Sequence, residues 1–174
     1  LKVLPAALLM PGVISVTNVP QIQDVSTVEK ILHRLGVKVV TRGRTWKLTV
    51  PQKVDTTLPL DLAPKIRASI LLLGPLLARI GKVILPQPGG CPLGRRPIDL
   101  FIQAFEAMGA KVTCVGESYH FSAKKLKGAR IIFPRISVTG TETVIMAATL
   151  ASGTTTIVNA AMEPEIPALA EWLN

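Results

Sequence analysis

The sequence is poor in the residues that build redox, metal and stacking sites. It has two cysteines, Cys91 and Cys114, and two histidines, His33 and His120, in 174 residues. Two cysteines cannot form the disulfide framework of a small secreted domain, and they suit a reducing compartment. Neither histidine has a Cys, His or carboxylate cluster near it, so both read as structural or solvated and no spacing suggests a metal site. Aromatic residues make up 4%, too few for a platform on which bases stack. Charged residues make up 18% against 48% hydrophobic, which excludes a disordered chain and leaves enough apolar mass for one ordinary domain.

Long apolar runs are also missing. The longest, Ile70–Leu77, is interrupted by Gly74 and Pro75 and flanked by Arg67 and Arg79. A membrane span needs roughly 20 apolar residues. Leu1–Met10 resembles the apolar part of a signal peptide but lacks a charged leader and a small-residue cleavage site, so it reads as the start of a core helix. With no Met at position 1 and a final Glu171-Trp172-Leu173-Asn174 in mid-pattern, the chain reads as a piece of a longer protein.

Acidic residues are scarce: 11 against 20 Lys and Arg, a net charge of +9. Such a balance permits nucleic-acid binding, and Lys124 to Arg130 is the densest cluster. Yet no helix carries a basic stripe and no nucleic-acid motif occurs. An acidic small-molecule substrate explains the arginines better, and the lysine cluster reads as a solvated turn.

What the sequence does have is internal repetition. Three stretches, about 1–58, 59–135 and 136–174, share one layout, the third incomplete. Gly12, Gly81 and Gly153 each end a helical run and precede a β-branched run. Gly36 and Gly109 each end a second helix, in Leu-Gly-Val-Lys-Val and Met-Gly-Ala-Lys-Val, where glycine supplies the left-handed residue that closes a helix. The spacing predicts a helix to about Met10, a strand at 13–17, a helix at 25–35 and strands at 37–41 and 45–50. It predicts a helix at 65–80, a strand at 82–85, a helix at 98–108 and strands at 111–115, 119–122 and 129–133. The third stretch predicts a helix at 140–151, a strand at 154–158 and a helix from about 165. The first helices of units two and three are apolar all round, the second helix of unit one amphipathic. An α/β fold follows, with buried helices at the centre and sheets and amphipathic helices outside.

One loop stands out. Pro88-Gly89-Gly90-Cys91 with Gly94-Arg95-Arg96-Pro97-Ile98-Asp99 lies between a strand and a helix, and the first unit has no equivalent. The glycines let backbone N–H groups approach a ligand or the sulfur. Two arginines near a thiol lower its pKa from about 8.5. Pro97 suits the first turn of a helix whose N-terminus attracts anions. This favours a reactive Cys91; the alternative is a turn with a buried cysteine and solvated arginines. Cys114 reads as core. Arg67 is either snorkelling to the surface or reaching into a cleft. Arg135 to Gly140 precedes the third central helix, where Ser137, Thr139 and Thr141 offer caps, the reading slightly favoured there.

Arg67-Ala68-Ser69-Ile70, Gly74-Pro75-Leu76, Pro88-Gly89-Gly90-Cys91, Arg96-Pro97-Ile98-Asp99-Leu100 and Ser137-Val138-Thr139-Gly140-Thr141-Glu142 together resemble the UDP-N-acetylglucosamine 1-carboxyvinyltransferases, bacterial enolpyruvyl transferases. The resemblance implies a lobe that is an inside-out α/β barrel of three helix-strand-helix-strand-strand repeats, residues 1–174 forming most of one of two lobes, truncated at both ends. It implies transfer of the enolpyruvyl group of phosphoenolpyruvate to the 3′-hydroxyl of UDP-N-acetylglucosamine with release of phosphate, the first committed step of peptidoglycan synthesis in the bacterial cytoplasm. By position Cys91 matches the acid, and Arg67 and Arg96 match residues at the substrate cleft. The runs Arg96, Pro97, Ile98, Asp99, Leu100 and Arg135, Ile136, Ser137, Val138 match nucleotide-sugar contacts. Two residues depart: Arg135 stands where a Lys is common, and Phe101 where a polar residue such as His can occur. The implied partners are the two substrates and a second lobe of the same chain, with no cofactor, metal, nucleic acid or membrane, and the fragment alone is expected to be inactive. A shikimate-type transferase and a non-catalytic nucleotide-sugar-binding module remain as alternatives.

Overall fold

The repeats of the sequence fold into one recurring order of elements. The computed structural model describes residues 1–87 and 98–174. Its first unit runs from helix α1 (Val3–Ala6) through a 3₁₀ turn at Ala7–Leu9 to strand β1 (Gly12–Val16), helix α2 (Gln23–Arg34) and strands β2 (Lys38–Arg42) and β3 (Thr45–Val50). The second has a 3₁₀ segment at Arg67–Leu72, helix α3 (Leu73–Ile80), strand β4 (Lys82–Pro86), helix α4 (Asp99–Ala107) and strands β5 (Lys111–Val115), β6 (Ser118–Ser122) and β7 (Arg130–Ile132). The third has helix α5 (Val138–Ala148), strand β8 (Thr156–Val158) and helix α6 (Glu165–Leu173).

The first two units build matching three-stranded sheets, ordered β1-β3-β2 and β4-β6-β5 with antiparallel neighbours. Each unit then hands a strand to the next. Thr57 bridges Ile84 in parallel, and β7 pairs in parallel with β8. Asn18 and Asn159 occupy the same place after the first strand of units one and three, at φ of 58° and 59°. Asparagine is among the few non-glycine residues at home in that region.

The centre is helical. α3 packs against Ala7–Leu9 and against α5, and Arg67–Leu72 packs against α5 and α1. α5 is buried from Gly140 through Val144 and again at Met146 and Ala147. The contact between α3 and α5 is close because Gly74 has no side chain: a Cβ there would lie 2.3 Å from the Thr143 carbonyl oxygen. Buried hydroxyls are satisfied locally. Thr141 donates to the Ser137 carbonyl and accepts from the Ala161 N–H, and Thr143 donates to Thr139. Buried Glu142 is paired with Lys2, whose Nζ lies 2.6 Å from its Oε1 and 3.5 Å from Glu165 Oε1. That network ties the first helix to α5 and α6.

The structure revises several sequence expectations. The helix expected over 65–80 is a 3₁₀ segment followed by an α-helix. Pro75 is the cause: in a continuous α-helix its ring would clash with the Leu71 carbonyl, whereas it fits the first turn of α3. α3 then ends at Gly81, at φ 78°, where a Cβ would also lie 2.5 Å from the Ala123 carbonyl oxygen. The third central helix starts two residues early, because Ser137 accepts from the Gly140 N–H and caps it. Cys114, expected in the core, is exposed. It lies near the end of an edge strand, two residues before the turn at Gly116.

Candidate functional site

The N-terminal ends of two central helical segments and of one outer helix converge on a hollow of about 180 Å³. Arg67, the first residue of the 3₁₀ segment, lines one side with Leu100 and Phe101 of α4. Arg135, Ile136, Ser137 and Thr139, which lead into α5, line the other. Five of the proposed site residues thus share one cavity: Arg67, Leu100, Arg135, Ile136 and Ser137.

Each is held by local chemistry. Ser137 is extended at φ −146° and caps α5, so its side chain is fixed by the helix it starts. Arg67 is half-buried, with its guanidinium carbon 5.8 Å from the centroid of the Phe101 ring. Phe101 is 1% exposed, so this cation–π contact is made over a rigid ring. Arg135 forks onto Asp99, Nη2 donating to Oδ1 at 2.9 Å and Nη1 to Oδ2 at 3.3 Å. The Arg135 fork holds the Asp99 carboxyl below the usual carboxylate range, and the carboxylate raises the Arg135 pKa further. Asp99 opens α4, where a negative charge also suits the helix dipole.

The arrangement offers two guanidinium groups, a hydroxyl and an aromatic wall around a small space. Planar guanidinium forks suit phosphate, carboxylate and the polar edge of a base. Of the remaining candidates, Ile98 is buried as the residue before α4. Val138 is the first residue of α5, half-buried, and is not part of the lining. Cys91, Arg96 and Pro97, with Arg95, lie outside the described residues. Among the described residues no group of three His, Cys, Asp or Glu could hold a metal ion, and no helix is long and apolar enough to cross a membrane.

Sequence reasoning missed two features. Phe101 was legible only as a departure from the family pattern, and its role as the ring beneath Arg67 has no local signal, because the two are far apart in the chain. Thr139 read as a cap, but its carbonyl accepts from Thr143 and it lines the hollow instead.

The chain matches the model of the family described as EPSP synthase (3-phosphoshikimate 1-carboxyvinyltransferase) over residues 1–174. It is 45% identical to the UDP-N-acetylglucosamine 1-carboxyvinyltransferase of Paramagnetospirillum magneticum, over 99% of this chain and 42% of that protein. It is 44% identical to the protein of the same name from Desulfosudis oleivorans, over 100% and 42%. The chain therefore spans less than half the length of these curated relatives. Among solved structures it resembles the enolpyruvyl transferase NikO from Streptomyces tendae, with a TM-score of 0.79 at 18% identity, over 99% of this chain and 41% of that one. It also resembles EPSP synthase from Acinetobacter baumannii, with a TM-score of 0.71 at 17% identity, over 95% and 40%. These likenesses show the inside-out α/β fold of the enolpyruvyl transferases.

Proposed function

Because the chain belongs to the EPSP synthase family, we propose that the complete protein transfers the enolpyruvyl group of phosphoenolpyruvate to the 3′-hydroxyl of UDP-N-acetylglucosamine, serving peptidoglycan synthesis. The observation that carries this reading is the hollow in which Arg67, Phe101, Arg135 and Ser137 meet. The names of relatives 45% and 44% identical support the choice of acceptor.

In this reading the segment from Arg135 to Val138 and the start of α4 hold the nucleotide-sugar. The Asp99–Arg135 fork fixes two polar edges, and Arg67 sets a positive charge at the inner wall. Cys91 gives its proton to the vinyl CH₂ of phosphoenolpyruvate, which becomes a methyl group. The neighbouring carbon turns electrophilic and takes the sugar oxygen, whose proton leaves to a base. Loss of phosphate and of a proton from the methyl group restores the vinyl double bond on the sugar. Arg67 and Arg96 balance the negative charge of phosphate and carboxylate. The thiol acts as a general acid, and closure of a second lobe excludes water. The same chemistry needs no metal.

The test is phosphate release by the complete protein with phosphoenolpyruvate and either UDP-N-acetylglucosamine or shikimate 3-phosphate. Release is expected with the nucleotide-sugar alone and is expected to vanish in Cys91→Ala. Release with shikimate 3-phosphate instead would establish the shikimate-type reading. Tight nucleotide-sugar binding with no release at all would leave a binding module.

A further inference from the structure

Most of the chain's net positive charge lies away from the hollow. Of its 20 Lys and Arg and 11 Asp and Glu, seven cations and no acid fall between Glu29 and Asp55, leaving 13 against 11 elsewhere. This stretch includes β2, β3 and the turn between them. The pleat sorts it: Val39, Trp46, Leu48 and Val50 are buried, while Lys38, Val40, Arg42, Lys47 and Thr49 are exposed. Arg44 in the turn is exposed as well.

The register brings the cations together. Lys47 stands opposite Val40, and Lys38 and Arg42 flank Val40 on the same face of its strand. Diagonal neighbours in such a ladder lie about 7–8 Å apart. That is within one screening length at physiological salt, roughly 8 Å, so the repulsion is felt. Among the described residues no ion pair involves Lys38, Arg42, Arg44 or Lys47, so no carboxylate relieves this face. On β1, Val13 opposite Thr49 is 58% exposed, and Val40 is 44% exposed.

We infer that the outer face of the β1-β3-β2 sheet docks on an anionic bilayer surface, with Lys38, Arg42, Arg44 and Lys47 on the lipid headgroups. Clustered Lys and Arg are drawn to anionic headgroups without any shaped cavity, and exposed valines between them favour the interface. A flat sheet face that carries its cations in the open suits a broad bilayer surface. The cavity of this unit is lined by Thr41, Gly43 and Trp46 among others, away from the face. Single-stranded nucleic acid needs exposed rings, and the one aromatic residue of this sheet, Trp46, is buried. Peripheral docking needs no span, so the lack of one does not oppose it. None of these residues lines the substrate hollow, so docking and transfer are separable.

The experiment is co-sedimentation of the complete protein with vesicles of phosphatidylcholine alone and of phosphatidylcholine with phosphatidylglycerol. Partitioning onto the anionic vesicles alone is expected, falling as salt rises. Lys38→Glu with Lys47→Glu is expected to lower it about tenfold or more, with phosphate release unchanged. Lys124→Glu with Lys125→Glu makes the same charge change at another exposed site and is expected to lower it far less. Equal losses in the two pairs would reduce the effect to net charge and overturn the proposal. No preference of the unaltered protein for anionic vesicles would overturn it too, as would capture of an oligonucleotide in place of vesicles.

Discussion

Asp99 and Arg135 lie 36 positions apart and meet as a two-pronged pair, 2.9 and 3.3 Å long, that joins the start of α4 to the approach to α5. Both side chains are about half exposed, at 42% and 51%. Exposed pairs contribute about 0–1 kcal/mol, so this one contributes to geometry more than to stability. Its pH dependence has a definite sign. The folded carboxyl is held below the ordinary value of about 3.9, so the pair stabilises the fold above that pH. The contribution is lost as pH falls through the lowered pKa. Asp99→Asn is expected to leave denaturant midpoints of the complete protein nearly unchanged at neutral pH and to flatten a small loss of stability below about pH 4. A large loss at pH 7 would show that the pair is structural.

Gly74 is expected to tolerate no side chain. Its missing Cβ faces the backbone of Thr143 at 2.3 Å, and backbone cannot step aside as a flexible side chain would. Gly74→Ala should separate α3 from α5 and cost about 1–3 kcal/mol or more, read by urea unfolding of the complete protein. A stability equal to the unaltered protein would mean the helices are not packed so closely.

Arg79 is expected to act as a staple between the first two units. It donates to the Leu8, Pro51 and Gln52 carbonyls at 3.0, 2.6 and 2.9 Å, and burial lowers its pKa. Arg79→Ala should cost about 2–3 kcal/mol in the same unfolding experiment, because charged donors to carbonyls are strong and the carbonyls lose their partner. Arg79→Lys should restore only part, since an ammonium group lacks the fork.

Exposure alone does not separate the two cysteines, since Cys114 is open to reagent. Charge does: Arg95 and Arg96 follow Cys91 with no acid before Asp99, whereas Cys114 has Lys111 and Glu117 three residues to either side, which offset each other. Iodoacetamide at a pH about two units below 8.5 should label Cys91 well before Cys114, read by mass spectrometry. Equal rates would remove the case for an activated thiol.

Much of the fold was legible because repeats reinforce one another. Gly36 and Gly109, after matching helices, mark the same left-handed turn twice. The 3₁₀ segment at Arg67–Leu72 was not read, though Pro75 offered a signal in its demand on the Leu71 carbonyl. The exposure of Cys114 escaped because alternation reports which side a residue faces and not whether anything covers it. In the site, Arg67, Leu100, Arg135, Ile136 and Ser137 were named by resemblance. Their meeting around Phe101, and the fork of Arg135 onto Asp99, depend on packing between units, for which spacing along the chain carries no signal.

The claim on which the rest depends is that this hollow receives the acceptor. UDP-N-acetylglucosamine titrated calorimetrically into the complete protein tests it, with Asp99→Ala combined with Arg135→Ala as the comparison. The affinity is expected to fall at least about tenfold, or roughly 1.4 kcal/mol, while the unfolding midpoint moves little. Equal affinities in the altered and unaltered proteins would place the nucleotide-sugar elsewhere and contradict the assignment.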